Sequence, residues 1–410
     1  MVGKSRALLL LLLYYSPVCA TSAVLGVIVG VFSFRELGIL GAALSLLLML
    51  MPSLISLFGG VLSDKIGREK YALIASNIAS SIAVGAMAFV NDIFLLFALY
   101  AAVQLIGAFT SPVISAYIRE VLGDYTHILK FRSLSRAVCS SINVAAAIAA
   151  GLLLLTSSKY AIPLFLLSAA LTALSTAPLL FLDVRGRPRG GATLTGIFGA
   201  VRRQLESDPS MRLLFLIYMT TGIFSMHPLL LWIYDYYGNL ELGWSITLVL
   251  MEIGGALGGL LSARVGTGDF FRIALALPLP ALITGAMPLV TKEVIGFFIV
   301  LAALFIEQIL HTVFSTASTS YITAYSRREA VATTISSFLA VQTVMNMIGL
   351  ALWSAVATYI YPPYVMIGGM SAELVVLALL LNALARRQKP PQTPPASSHG
   401  VTSSQPPAAN

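Results

Sequence analysis

The chain has 410 residues, of which 58% are hydrophobic and only 10% are charged, and its mean hydropathy is +0.90. A soluble globular domain carries about 25% charged residues, so this composition excludes a water-soluble protein and predicts one embedded in a bilayer. The net charge of +8 comes from basic residues scattered over many loops. It therefore does not indicate a nucleic-acid-binding face.

Apolar segments long enough to cross the hydrocarbon core as helices, for which about 20 residues suffice, follow one another along the chain. We predict an all-α polytopic membrane protein with twelve transmembrane helices in two pseudo-symmetric six-helix bundles. The spans lie at 7–34, 37–63, 71–91, 93–118, 137–158, 160–182, 213–234, 242–263, 273–291, 294–317 and, as two helices hinged near Tyr361-Pro362-Pro363, at 330–385. Strands of a membrane barrel would be about ten residues long and alternate in polarity.

The N-terminal segment also fits a secretory signal, because Lys4 and Arg6 precede a leucine run and the small-residue sequence Pro17-Val18-Cys19-Ala20. The apolar run continues to Phe34, however, which favours a first span, and cleavage would leave eleven helices. Cys19 and Cys139 both lie in apolar segments. We therefore expect neither a disulfide framework nor a cysteine metal site.

The spans divide the chain into four predicted parts. These are an N-terminal six-helix bundle at 1–183, a cytoplasmic inter-domain loop at 184–210, a C-terminal six-helix bundle at 211–385 and a disordered, proline-rich cytoplasmic tail at 386–410. If the N-terminus is cytoplasmic, only Arg35, Lys159 and Lys292 of the 25 basic residues lie outside. This asymmetry predicts a multi-pass plasma-membrane protein with both termini in the cytoplasm.

A glycine-rich end of a span followed by a charged turn occurs twice. The first copy reads Gly59-Gly60-Val61-Leu62-Ser63-Asp64-Lys65-Ile66-Gly67-Arg68-Glu69-Lys70, and the second reads Gly258-Gly259-Leu260-Leu261-Ser262-Ala263-Arg264-Val265-Gly266. Repetition of one device at the same place in two halves indicates a duplicated membrane architecture.

The first copy, between spans two and three, resembles the signature loop of the major facilitator superfamily, and the similarity extends over about residues 7–385. The resemblance implies that spans one, four, seven and ten line a central cavity. It also implies a latch that favours the outward-open state, formed by Gly60, Asp64, Lys65, Gly67 and Arg68. In the second copy Ala263 replaces the aspartate, which puts a mirror-image latch in doubt. The alternative is that the charges of the loop only fix the topology.

Acidic residues inside spans occur only in the second half, at Glu252, Glu307 and Glu373. Each costs at least ~2.5–3.5 kcal/mol at mid-membrane and so requires an explanation. His311 lies one helical turn after Glu307 on the same face, and this pair is either a proton or substrate site or a buried structural pair.

Glu252 precedes a glycine-rich stretch, where it either binds a proton or cation at a sliding helix contact or forms a structural hydrogen bond. Glu373 lies on a span that, by the resemblance, belongs to the outer support helices, so we expect a structural or protonated role for it. Uncharged candidates for the cavity lining are Tyr15, Gln104, Tyr218, Thr221, Gln342 and Asn346.

We therefore predict a secondary transporter that moves a small solute by alternating access, driven by a proton or other ion gradient. No arginine or lysine is expected in mid-span, which disfavours an anionic solute, and the prediction leans to efflux of amphipathic or cationic compounds. The alternatives are uptake of a small neutral nutrient, by proton symport or facilitated diffusion, and a non-transporting scaffold or sensor. Motifs of metalloproteases, serine hydrolases and nucleotide-binding loops are absent. We expect no enzyme activity, metal or cofactor, and a monomer whose partners are its solute and the bilayer.

Overall fold

The computed structural model describes residues 4–50, 56–61, 64, 69–182, 194–224, 227–238, 240–266, 269–327 and 330–388. Within these ranges the first half contains α1 (Lys4–Leu50), α2 (Glu69–Met87), α3 (Ile93–Leu122), α4 (Tyr125–Thr156), α5 (Ala161–Leu174) and α6 (Ala177–Leu180). The remaining helices are α7 (Leu194–Ser207), α8 (Pro209–Ile223), α9 (His227–Tyr236), α10 (Leu240–Ser262), α11 (Asp269–Ala276), α12 (Pro278–Val290), α13 (Val294–Tyr325), α14 (Val331–Ala357) and α15 (Pro362–Gln388).

These described ranges contain helices and no strand, which confirms the all-α prediction. Eight helical stretches in them are long and apolar enough to cross a membrane: Ser5–Ser33, Ile93–Leu122, Tyr125–Leu154, Ala161–Leu180, Phe271–Val290, Val294–Tyr325, Val331–Ala357 and Pro362–Ala383. The other predicted spans fall on α1 beyond Ser33 with the helical residues 56–61, on α2, on α8 with α9, and on α10.

Two boundaries differ from the prediction. Helix α1 continues through Arg35, where a break between spans one and two was expected. Helix α4 begins at Tyr125 rather than near 137, because the carboxylate of Asp124 caps it by accepting a hydrogen bond from the backbone N–H of His127. As a result Arg132 and Arg136 lie inside a membrane-length helix, Tyr125–Leu154, whereas the predicted span of 137–158 excluded them.

The expectation that the cysteines stay unpaired is also wrong. Cys19 of α1 and Cys139 of α4 form a disulfide, with their Cα atoms 5.4 Å apart. Packing of α1 against α4 brings the two residues together, and a sequence separation of 120 residues gives no hint of that packing. Because both cysteines belong to the first half, the bond ties two helices within one half and does not join the halves.

Basic residues such as Arg119 in the last turn of α3 and Lys130 near the start of α4 lie at one end of the bundle, which we call the basic side. One apolar cluster there contains residues of both halves, including Ala116 and Leu129 from the first and Leu214, Ala317 and Ile335 from the second. Two further clusters each belong to a single half. The two halves are thus joined by a shared core at the basic side.

Candidate functional site

A cavity of about 410 Å³ lies in the second half, and we call it the second-half cavity. Polar groups line it from several helices: Thr221 of α8, Glu307, Gln308 and His311 of α13, Gln342 and Asn346 of α14, and Glu373 of α15. Arg136 of α4 reaches it from the first half. Five of the residues selected from the sequence, Thr221, Glu307, His311, Gln342 and Asn346, therefore converge on one space.

The two carboxyl groups of this cavity are its most demanding feature. Glu373 is only 5% exposed, and neither it nor Glu307 forms a hydrogen bond with any residue that the structure describes. Burying an ionised carboxylate costs several kcal/mol unless it is paired. Glu373, the buried one of the two, therefore needs a proton or a cation, whereas Glu307 is partly exposed to the cavity.

Glu373 is the site residue that sequence reasoning missed. Its span was assigned to the outer support helices, yet α15 packs against α8 and α12 and turns this side chain into the cavity. An acidic residue in an otherwise apolar span indicates a functional side chain. The sequence did not show that the Glu373 side chain faces the cavity.

A second cavity, of about 280 Å³, lies in the first half, and we call it the first-half cavity. Its lining contains hydroxyl and amide groups but no charged residue: Tyr14, Tyr15, Thr21, Ser22, Asn77, Ser80, Gln104, Thr110, Ser111 and Thr172. Tyr15 and Gln104 thus lie apart from the other predicted lining residues. The cavities differ in charge, because one carries two carboxyl groups and the other carries none.

Tyr218, the remaining predicted lining residue, lies in neither cavity. Its hydroxyl is hydrogen-bonded to that of Ser318 at 2.9 Å. Towards the basic side, Nη2 of Arg132 donates to Ser115 of the same half at 2.9 Å and to Thr323 of the other half at 3.0 Å. A guanidinium held by hydroxyl groups thus bridges the two halves.

Gly60 and Asp64 form a contact with α14 that we call the Asp64 seam. The carboxylate of Asp64 accepts hydrogen bonds from the backbone N–H of Ala332 at 3.3 Å and from the N–H and hydroxyl of Thr333, both at 2.7 Å. Asp64 therefore caps the N-terminus of a helix in the opposite half, where a negative charge is favoured. A Cβ atom on Gly60 would lie 2.7 Å from the carbonyl oxygen of Ala332, so the close approach requires glycine.

Lys65, Gly67 and Arg68, the other predicted latch residues, lie outside the residues that the structure describes. Nearby, Asp124 caps α4 and also contacts the imidazole Nδ1 of His127 at 2.7 Å. Of the predicted latch, the structure therefore describes only Gly60 and Asp64, which form the Asp64 seam.

The second glycine-rich copy packs against α4 in a contact that we call the Glu252 seam. Going up from the basic side, Ser133, Ala137, Ser140 and Asn143 of α4 face Ser262, Gly259, Gly255 and Glu252 of α10. The hydroxyls of Ser133 and Ser262 are 2.7 Å apart, and Nδ2 of Asn143 donates to Oε1 of Glu252 at 3.3 Å. Glu252 therefore lies between the halves and outside both cavities.

The hydrogen bonds described between the two halves lie at the basic side or in the middle of the spans. They include the Asp64 and Glu252 seams, the bridge from Arg132, and a hydrogen bond from the guanidinium of Arg119 to the carbonyl oxygen of Ser326. Helix α7 adds a further contact there, because the amide of Gln204 donates to the carbonyl oxygen of Tyr325 at 3.1 Å. In this conformation the protein is closed on the basic side.

Comparison with known proteins is consistent with this geometry. A family model described as Major Facilitator Superfamily matches residues 7–300. No curated protein matches the sequence closely enough to count as a relative.

Solved structures share the fold at low sequence identity, each over 93% of this chain. The human organic anion transporter MFSD10 (TETRAN) matches over 100% of its own chain with a TM-score of 0.66 and 14% identity. The E. coli fucose:proton symporter FucP matches over 98% of its own chain with a TM-score of 0.68 and 12% identity. A bacterial homologue of the iron transporter ferroportin, in an outward-facing state, matches over 100% of its own chain with a TM-score of 0.64 and 17% identity.

Proposed function

The chain belongs to the Major Facilitator Superfamily and is a multi-pass membrane transporter, and we propose that it exports small amphipathic or cationic solutes in exchange for protons. The observation that carries this proposal is the second-half cavity, where Glu307 and Glu373 lack hydrogen-bond partners among the described residues and face the same space. Two carboxyl groups against the single guanidinium of Arg136 leave the lining with an excess of acidic groups, which favours an organic cation. The apolar lining, including Phe224, Met251 and Met366, fits the hydrocarbon part of such a molecule.

Competition for the same carboxyl groups provides the coupling. A proton and an organic cation cannot both neutralise Glu307 at once, so binding of one displaces the other. Exchange of this kind moves the solute against the proton, and an inward proton gradient then drives export. His311, which lines the same cavity one turn from Glu307, offers a second group for the proton.

Alternating access supplies the movement. We propose that the Asp64 seam is a latch that holds the basic side closed and that breaks when the cavity opens to that side. The asymmetry of basic loops favours a cytoplasmic basic side, hence a plasma-membrane protein with both termini in the cytoplasm. Both halves belong to one chain, and we propose that a monomer carries out the cycle.

The experiment uses purified protein in liposomes that contain a pH-sensitive dye, challenged with ammonium compounds, sugars and amino acids. We expect ammonium compounds to trigger proton movement in the opposite direction and Glu307→Gln to abolish it. Glu293→Gln is the matched control, because Glu293 lies at the start of α13, makes no capping hydrogen bond and is outside the cavity. An ammonium response that survives Glu307→Gln, or one lost equally in the control, would overturn the proposal.

A second candidate, uptake of a neutral solute, is favoured by the first-half cavity, whose uncharged hydroxyl and amide lining suits hydrogen bonding to a polyol or sugar. In that case sugars, not ammonium compounds, trigger proton movement in the same assay. Gln104→Leu then abolishes the response. Silence of every class, with solute flux also absent, supports the non-transporting scaffold.

A further inference from the structure

The middle of the Glu252 seam contains two buried acceptor atoms that have no donor among the residues that the structure describes. The carboxyl of Glu252 accepts one hydrogen bond, at Oε1, from the amide of Asn143. Its other oxygen, Oε2, and the amide oxygen of Asn143, Oδ1, are both buried and without a partner. Each such buried group costs about 1–3 kcal/mol if it stays unsatisfied.

An ionised carboxylate cannot resolve this arrangement, because it has only acceptors, and the amide oxygen is an acceptor too. A proton on Oε2 of Glu252 resolves it completely. The carboxyl then donates to Oδ1 of Asn143 while still accepting from Nδ2, and the two side chains form a pair of hydrogen bonds across the seam.

We propose that Glu252 and Asn143 form a proton-binding site between the two halves, separate from both cavities, and that a proton bound there stabilises closure of the basic side. The inference rests on the proposed function, since it concerns a carrier whose halves move apart. It adds a second place at which the proton acts. This place is about 15 Å from the Ser133–Ser262 contact, away from the basic side, because Asn143 and Glu252 are each ten residues from the serine on their own helix.

Within the described part of the chain, the surroundings supply no other donor to these two atoms. At the level of the seam, the ionisable groups on packed helices are Arg136 on α4, Glu307 and His311 on α13, and Tyr234 and Asp235 on α9. None of them gives a hydrogen bond to Oε2 of Glu252 or Oδ1 of Asn143. The hydroxyl of Ser140, one turn nearer the basic side, is likewise without a partner and does not reach them.

The position couples the proton to the conformation. Glu252 belongs to α10 and Asn143 to α4, so the pair exists only while the halves are in contact. The closed form binds the proton through two hydrogen bonds, and the open form leaves a carboxyl exposed to water. By linkage, lowering the pH then favours the closed form, and raising it favours the open form, by at most about tenfold per pH unit for a single proton.

The experiment measures the distance between the halves directly. Spin labels are placed on Lys130→Cys and Arg264→Cys, two exposed positions at the basic ends of α4 and α10, in a Cys19→Ala/Cys139→Ala background. Pulsed electron resonance then gives the ratio of short to long distances between pH 5 and 9. Native Glu252 is expected to give a ratio that falls as the pH rises.

Two variants separate the proton from a structural role. In Glu252→Gln the new amide can donate to Asn143 and accept from it, so we expect the short distance at every pH. In Asn143→Leu the new side chain has a similar volume but forms no hydrogen bonds. We therefore expect the fraction of long distances to increase and the pH response to disappear. Exchange of Na⁺ for choline at constant pH is expected to change nothing.

Several results would overturn the proposal. A native ratio that does not respond to pH, or a response that persists in Glu252→Gln, excludes the proton site. Opening of the seam in Glu252→Gln, together with dependence on Na⁺, indicates a metal cation between the two oxygens instead. If Asp64→Asn also leaves the distances unchanged, the halves do not move, and the carrier function itself fails. If Asp64→Asn changes them, only the Glu252 site fails.

Discussion

The two seams use the same glycine-rich repeat but hold the halves together by different chemistry. At the Asp64 seam a carboxylate receives three hydrogen bonds from the start of α14, two of them from the backbone. At the Glu252 seam Ala263 stands where the aspartate would be, and the contact relies on a pair of serine hydroxyls and on Asn143 with Glu252.

This difference shows how a duplicated element can divide its tasks. The carboxylate of Asp64 is stabilised by N–H groups at a helix N-terminus, an arrangement that favours the charged form. The carboxyl of Glu252 instead faces an amide oxygen, which can only accept a hydrogen bond. One seam thus provides strength, and the other responds to the proton.

The largest change is expected from Asp64→Asn, because the uncharged amide loses the charge-assisted bonds to Thr333. Such bonds contribute about 2 kcal/mol, so the ratio of closed to open forms should fall about 30-fold at the Lys130–Arg264 label pair. The matched control is Asp92→Asn, because Asp92 caps α3 within one half by accepting from the N–H of Leu95. An unchanged ratio in Asp64→Asn, or an equal change in the control, contradicts the latch.

A smaller change in the ratio of closed to open forms, similar at both seams, is expected when a side chain is added at the two glycine contacts. A Cβ at Gly60 would lie 2.7 Å from the carbonyl oxygen of Ala332, and one at Gly259 would lie 2.8 Å from the backbone nitrogen of Ala137. Overpacking costs about 1–3 kcal/mol, so Gly60→Ala and Gly259→Ala should each favour the open form about tenfold in the same measurement. Gly151→Ala, which meets no atom within 4 Å, should have no effect.

Loss of one serine hydroxyl should have a weaker effect. Hydrogen bonds between membrane helices contribute about 0.6 kcal/mol on average, so Ser262→Ala should lower the closed fraction only about threefold. Ser141→Ala serves as the control, because that hydroxyl bonds to the carbonyl oxygen of Ala137 within its own helix. A change as large as that of Asp64→Asn would mean that the two seams are equally strong.

No effect on transport is expected from removal of the disulfide, because Cys19 and Cys139 lie in the same half. The Cys19→Ala/Cys139→Ala variant should retain its turnover in liposomes. Its thermal unfolding temperature should fall, since a bond closing a long loop stabilises a protein by about 2–4 kcal/mol. Lost turnover at a temperature where the variant is still folded would show that α1 and α4 must stay joined during the cycle.

Much of the fold could be predicted from the sequence because it depends on local composition. Spans appear as apolar runs, and the repeat containing Asp64 appears as similarity between two stretches of the sequence. The disulfide, the direction of Glu373 and the pairing of Asn143 with Glu252 depend on which helices pack together, and the period of an amphipathic helix does not name its partner. The length of α4 was missed because Arg132 and Arg136 suggested a loop, whereas hydroxyls of other helices accommodate the Arg132 guanidinium.

The central claim is that the two halves carry a solute by moving in alternation, and counterflow tests it most directly. Liposomes containing the protein are loaded with a labelled ammonium compound and diluted into buffer with or without the same unlabelled compound, at equal pH on both sides. Faster exit of the label with unlabelled compound outside is the predicted result, because a returning loaded carrier exchanges faster than an empty one. Exit at one rate in both buffers, or exit no faster than from empty liposomes, would contradict it.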